Sequence, residues 1–229
     1  MNKVYIPLLA SMLVGSSAAA QHGSNMRTDT RKADHGMMRQ SPRETQVGID
    51  RDIIWSNDFS NAADWVASTE LTTDMTTVDA DTWVVGTQPP SGPFAIDTIQ
   101  STTAANGFAL FDSDLGCGGK QNAILAMANS VDLSAYSGVL LRFEQYTARW
   151  RGDYYIGVST DGGSSWEDME VLLDVPITAT TAPNTMSNPE VREVNISALA
   201  GGHSDVKIRF RYYSCNTVHA ADAGCDYAW

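Results

Sequence analysis

Apolar and polar residues alternate with a period of two over most of the chain beyond residue 53. In Val206–Tyr213, Val206, Ile208, Phe210 and Tyr212 share one face, and Lys207, Arg209, Arg211 and Tyr213 share the other. That is the pattern of a strand with one face in a core. Val139, Leu141 and Phe143 alternate in the same way with Leu140, Arg142 and Glu144, and Tyr154, Ile156 and Val158 do so around Gly157. Weaker patterns predict strands at 53–59, 81–86, 108–112, 122–127, 168–173 and 190–197. Turn residues separate them, at Pro89-Pro90-Ser91-Gly92, Asn106-Gly107, Gly118-Gly119 and Gly201-Gly202. No window of twelve residues carries a capped helical period. Many short strands at this spacing predict an all-β sandwich or jelly roll over 53–229.

The ends of the chain break the pattern. Lys3 is followed by the apolar run Val4–Val14 and then by Gly15-Ser16-Ser17-Ala18-Ala19-Ala20. This order of charge, short apolar core and small residues reads as a secretory signal peptide over 1–20, cut after Ala20. Residues 21–52 read as a flexible linker, because Arg, Asp, Thr, Ser, Met and His follow one another without a period. No later run approaches the roughly 20 apolar residues of a membrane helix. The mature chain is therefore expected outside the cell, secreted or at the surface, without a membrane span. The stretch 174–189, rich in Thr, Ala and Pro, reads as a mobile surface loop, the alternative being an interaction loop. Cys225-Asp226-Tyr227-Ala228-Trp229 looks like the start of a strand, so the last strand is expected to be truncated and the chain to be part of a longer protein.

Charge narrows the partners. Residues 52–229 hold eight Lys/Arg against 23 Asp/Glu, a formal −15 within a whole-chain charge of −12. Such a body repels nucleic-acid phosphates and suits solubility or divalent cations. Of the three cysteines, Cys215 and Cys225 bracket one short polar loop, and a bridge between them would leave Cys117 over. Pairings through Cys117 remain open.

The most specific local motif is Ser159-Thr160-Asp161-Gly162-Gly163-Ser164-Ser165-Trp166. Ser-x-Asp-x-Gly-x-Ser-Trp is the Asp-box pattern. Ser159, Asp161, Gly163 and Trp166 should build a tight hairpin, with glycines supplying positive φ and Asp161 accepting turn N–H groups. That role is structural. No His-Glu-x-x-His, Gly-x-Ser-x-Gly or Cys-x-x-Cys is present, so metalloprotease, α/β-hydrolase and thioredoxin readings lack a motif. Asp112-Ser113-Asp114 places two hard oxygen ligands just after a strand. With Asp58 they are candidates for a structural Ca²⁺ site, the plainer alternative being turn-capping aspartates. Arg149-Trp150-Arg151, between two strong strands, is a candidate for stacking on a sugar. The plainer alternative is a tryptophan folded onto the sheet under its arginines.

In their order, Asn106–Asp114, Val131-Asp132-Leu133-Ser134, the Leu140–Tyr146 strand, the Asp-box hairpin, Val194-Asn195-Ile196-Ser197 and Val206–Phe210 resemble the MAM-like jelly-roll modules of secreted Bacteroidetes proteins. They are similar to the cleaved-adhesin and choice-of-anchor types. The resemblance spans about 53–229. It implies a concanavalin/galactose-binding-like jelly-roll β-sandwich, often with structural calcium, serving as a non-catalytic adhesion or carbohydrate-binding module for an extracellular glycan or protein. The alternative is an ancillary domain of a secreted hydrolase, a glycosidase or peptidase whose catalytic domain lies outside this stretch. A sialidase-like propeller would repeat the Asp-box, and one copy is present.

Overall fold

The structure, a computed structural model, describes residues 3–6, 10–14, 52–73, 75, 78, 80–115, 120–149, 152–171 and 186–214. Among the described residues twelve strands form two antiparallel sheets. One contains β1 (Lys3–Ile6), β2 (Ala10–Val14), β3 (Asp52–Asn57), β5 (Val84–Gly86), β6 (Phe108–Asp112), β8 (Val139–Ala148) and β11 (Glu190–Asn195). The other runs β10 (Glu167–Val171), β9 (Asp153–Ser159), β12 (Lys207–Tyr213), β7 (Asn122–Met127) and β4 (Trp65–Thr69). Between β3 and β12 the chain passes from sheet to sheet repeatedly, at β3–β4, β4–β5, β6–β7, β7–β8, β8–β9, β10–β11 and β11–β12. The result is an all-β sandwich.

Alternation along each strand decides what enters the space between the sheets. Ile208, Phe210 and Tyr212 of β12, Ile156 and Val158 of β9, and Ala123, Leu125 and Met127 of β7 are buried in one continuous core. Val139, Leu141 and Phe143 of β8 and Ala109 and Phe111 of β6 join it from the facing sheet. Aromatic rings span the gap. Phe143 meets Phe210 edge-on with centroids 5.4 Å apart, and Phe111 lies 4.8 Å from Tyr212. Such pairs add about 0.5–1.5 kcal/mol beyond the burial of their area. Trp83 packs on Phe111, and its indole N–H reaches across to the Ala123 carbonyl at 3.2 Å. The polar tip of this buried ring is thereby satisfied.

Most predicted strands appear with shifted ends. The run at 81–86 narrows to Val84–Gly86, and 190–197 ends at Asn195. There Ser197 starts the one-turn helix α1 (Ser197–Ala200), and its hydroxyl exchanges hydrogen bonds with the Val139 backbone. Strand β4 has no counterpart in the sequence pattern, since Val66, Ala67 and Ser68 are all exposed. The stretch read as a signal peptide holds two strands, β1 and β2, which lie in the sheet between β8 on one side and β6 and β3 on the other.

Candidate functional site

The Asp-box hairpin folds as its residues require. The Ser159 hydroxyl accepts the Gly163 N–H at 2.8 Å and donates to Asp161 Oδ1 at 2.7 Å. Asp161 Oδ1 accepts the Ser165 N–H at 2.9 Å, and Oδ2 accepts the Ser165 hydroxyl at 2.6 Å. Gly162 and Gly163 sit at φ +71° and +100°, where a side chain would be strained. The bonds from Ser165 and then Ser159 hold the Asp161 carboxyl far below the usual carboxylate range. Trp166 donates its indole N–H to the Gly163 carbonyl at 3.1 Å, which fixes the ring at the end of β10.

From there a polar and aromatic row crosses the outer face of the five-stranded sheet. Asp168, Gly157 and Arg209 are register neighbours on β10, β9 and β12. Gly157 has no side chain to separate the other two. A Cβ there would run into Asp168 Oδ1 and into Arg209 Cγ. Arg209 therefore reaches over the glycine and grips Asp168 with two parallel bonds, Nε to Oδ1 at 3.0 Å and Nη2 to Oδ2 at 2.7 Å. Arg211 adds a third, Nη1 to Oδ2 at 2.9 Å. Burial raises the Asp168 pKa, but the two guanidiniums outweigh it and leave the carboxyl below its ordinary value. The Arg209 guanidinium lies 4.9 Å from the Trp166 ring centre, and Arg211 lies between the rings of Tyr155 and Tyr213 at 5.3 and 4.8 Å. Burial, with help from the Asp153 and Glu170 charges, pushes the Tyr155 hydroxyl up to about 12. Met75 and Val78 pack over the Tyr155–Tyr213 end. At the other end Trp166 remains half-buried, and the exposed Glu70 brings its carboxylate to 3.9 Å from Arg209.

The residues expected to bind a ligand fall differently. Arg149 does not stand at a loop tip. Its side chain is 4% exposed, donates to the Gly152 carbonyl and to Asp153, and lies 3.6 Å from Glu170. Asp153, the first residue of β9, supplies the countercharge that holds the guanidinium there. Trp150 and Arg151 lie outside the described residues, as do Cys117, Cys215 and Cys225. Asp112 and Asp114 do converge, over Gly92, where a Cβ would collide with both carboxylates. Asp112 Oδ2 accepts the Ser91 and Gly92 N–H groups at 2.8 and 3.0 Å, and Asp114 Oδ2 accepts the Phe94 N–H at 2.6 Å. They fasten the 91–94 turn. Asp58 serves another turn, accepting from Ser60 and Asn106. Among the described residues no three His, Cys, Asp or Glu side chains gather into a metal-binding group. Beside Asp112 opens a cavity of about 350 Å³, lined in part by Asp81, Val84, Phe108, Leu110 and Leu115.

No protein-family model, curated protein or solved structure matches the chain. Its class is thus set by architecture, an antiparallel all-β sandwich. Among the described residues no helix is long and apolar enough to cross a membrane.

Proposed function

We propose that the sandwich is an exported, non-catalytic module of adhesion or carbohydrate-binding type. It takes an extracellular glycan on the outer face of the five-stranded sheet. The observation that carries this reading is the Trp166–Arg209–Asp168 row. It offers a half-buried indole held rigid by its own N–H bond, beside charged groups locked in bidentate geometry. Sugars are bound by such a combination, an apolar ring face for their C–H surface and fixed polar groups at its rim. Preorganisation matters because a ring already pinned loses little entropy on binding. The non-catalytic part is supported by how the buried carboxylates are employed. Glu144 accepts the Thr102 N–H and hydroxyl, and Asp112 and Asp114 hold a turn.

A glycan array followed by calorimetric titration tests the reading. Trp166→Ala should weaken binding by about 1–3 kcal/mol, the scale of a lost hot-spot ring, while far-ultraviolet circular dichroism stays unchanged. Equal affinity in the two proteins, or turnover of the bound glycan by the wild type, overturns it.

A further inference from the structure

At the β5 end of the seven-stranded sheet the ladder encloses a hollow. β5 pairs with β6 through Val84–Leu110, Val85–Ala109 and Gly86–Phe108. Val85 and Ala109 turn toward the main core, so Val84, Gly86, Phe108 and Leu110 share the outer face. Phe108 and Leu110 are buried there against Ile99, whereas a Cβ on Gly86 would meet nothing within 4 Å. Gly86 has no positive φ to accommodate, so what it contributes is empty space. A strand glycine of that kind marks a place where another group can approach the backbone closely. These residues line the cavity of about 350 Å³ beside Asp112.

The chemistry of the walls is uneven. Of the six large apolar side chains that stand exposed among the described residues, two line this cavity, Val84 at 59% and Leu115 at 58%. Its floor, at Phe108 and Leu110, is apolar and dry. Asp112 closes one end on the same face of β6 as Leu110, its carboxylate held by the Ser91 and Gly92 N–H groups. Lys3 is the register partner of Asp112 on β1, across β6 from β5. Asp81, half-buried, brings a second carboxyl from the segment leading into β5. Among the described residues that line the cavity none is Lys, Arg or His. Its volume falls near the lower end of the range for ligand pockets, room for a molecule of one ring rather than an oligomer.

We propose that this cavity binds a small organic cation, a primary amine carried on a compact hydrocarbon body. Asp81 is the anionic partner of the ammonium, and Phe108, Leu110 and Leu115 surround the hydrocarbon. An ion pair at a partly dewatered wall is stronger than the same pair in open water. A divalent metal fits poorly, because the floor offers hydrocarbon where calcium takes roughly six to eight oxygens. An anion meets two carboxylates on an acidic body and is repelled. A neutral ligand of the same shape gains the apolar contacts alone, which makes it the natural control. The cavity lies on the sheet opposite to Trp166, so this inference stands independently of the glycan reading.

Calorimetric titration of the full chain with phenethylamine and hexylamine tests it, with phenethyl alcohol and hydrocinnamate as the neutral and anionic controls. Both amines should bind, one per chain. The alcohol should bind about 10-fold more weakly, the scale of one hydrogen bond to a charged group, and hydrocinnamate should not bind. Added salt should weaken the amines and leave the alcohol unchanged. Asp81→Asn should erase the difference between amine and alcohol. Gly86→Val fills the hollow, and should abolish binding of both while the protein still melts cooperatively. Should that variant fail to fold, Leu115→Ser at the exposed mouth replaces it, with a loss of affinity for amine and alcohol alike. The proposal is overturned if amine, alcohol and anion bind equally, or if Asp81→Asn keeps the preference for amine. It is overturned as well if a folded Gly86→Val, or Leu115→Ser in its place, binds like wild type, or if neither amine binds at millimolar concentration.

Discussion

The five-stranded sheet and the seven-stranded sheet solve the same problem by different means. Every strand of the first comes from residues 65–213, and its outer face is tied together by the Asp168–Arg209–Arg211 cluster over Gly157. The second gathers strands from nearly the whole described chain and joins them through β1 and β2. One sheet is thus tied by a polar assembly on its own surface, the other by the pairing of β1 and β2 between its remaining strands. One half is held within a compact span of the chain, whereas the other depends on pairing between strands far apart in sequence.

The largest test of this contrast removes what the halves share. Phe210→Ala deletes a ring that touches both Trp65 and Phe143 across the core, and urea denaturation should show a loss of about 3–5 kcal/mol. Next comes the cluster that distinguishes the five-stranded sheet. Asp168→Asn leaves two guanidiniums facing a neutral amide, and should cost about 2 kcal/mol at pH 7. Its pH dependence has a defined sign. The Asp168 carboxyl is held below 3.8 in the fold, so its stabilisation is complete above that value. It fades as pH falls through the lowered folded value. Melting curves between pH 2 and 6 should therefore be flatter for the Asn variant than for wild type.

Two strand glycines sharpen the comparison further. Gly157→Ala drives a methyl group into Asp168 and Arg209 and should destabilise by about 1–3 kcal/mol. Gly86→Ala, in β5 of the other sheet, meets nothing within 4 Å. It should change stability by less than about 1 kcal/mol, in the favourable direction expected when a strand glycine gains a side chain. Reversal of that order in thermal melts would remove the distinction between the sheets. The smallest effect is spectroscopic. Absorbance at 295 nm should show Tyr155 ionising at about 12, a transition missing from Tyr155→Phe. Because the folded value lies above that of the unfolded chain, the tyrosine stabilises the fold below pH 10. That contribution is lost as pH rises through 12.

The clearest parts of this architecture in the sequence were those whose causes are local. Alternation in 206–213 marks β12 because each residue's face depends only on its neighbours, and the Asp-box hairpin follows from eight consecutive residues. β4 was hidden because three of its residues are exposed and its hydrogen-bond partner, β7, lies almost 60 positions away. The Asp168–Gly157–Arg209 row needs the register of three strands, which no local pattern contains. Its one visible trace was a glycine in the middle of a strong strand, a sign of close approach by other groups. Arg149 was misplaced for a related reason. A cation near a turn looks exposed until Asp153 and Glu170 are seen beside it. Apolar composition alone could not reveal β1 and β2, since it satisfies an export leader and a strand equally well.

Trp55 and Trp65 give this sandwich an optical gauge of its own assembly. Trp55 belongs to β3, which pairs with β2, and Trp65 opens β4 in the opposite sheet. Their rings lie 6.0 Å apart at 74°. Two indoles so close and so steeply inclined couple their excited states, and the resulting circular-dichroism couplet vanishes once either ring drifts away. The docking of β3 against the opposite sheet can therefore be followed by light alone, without a label.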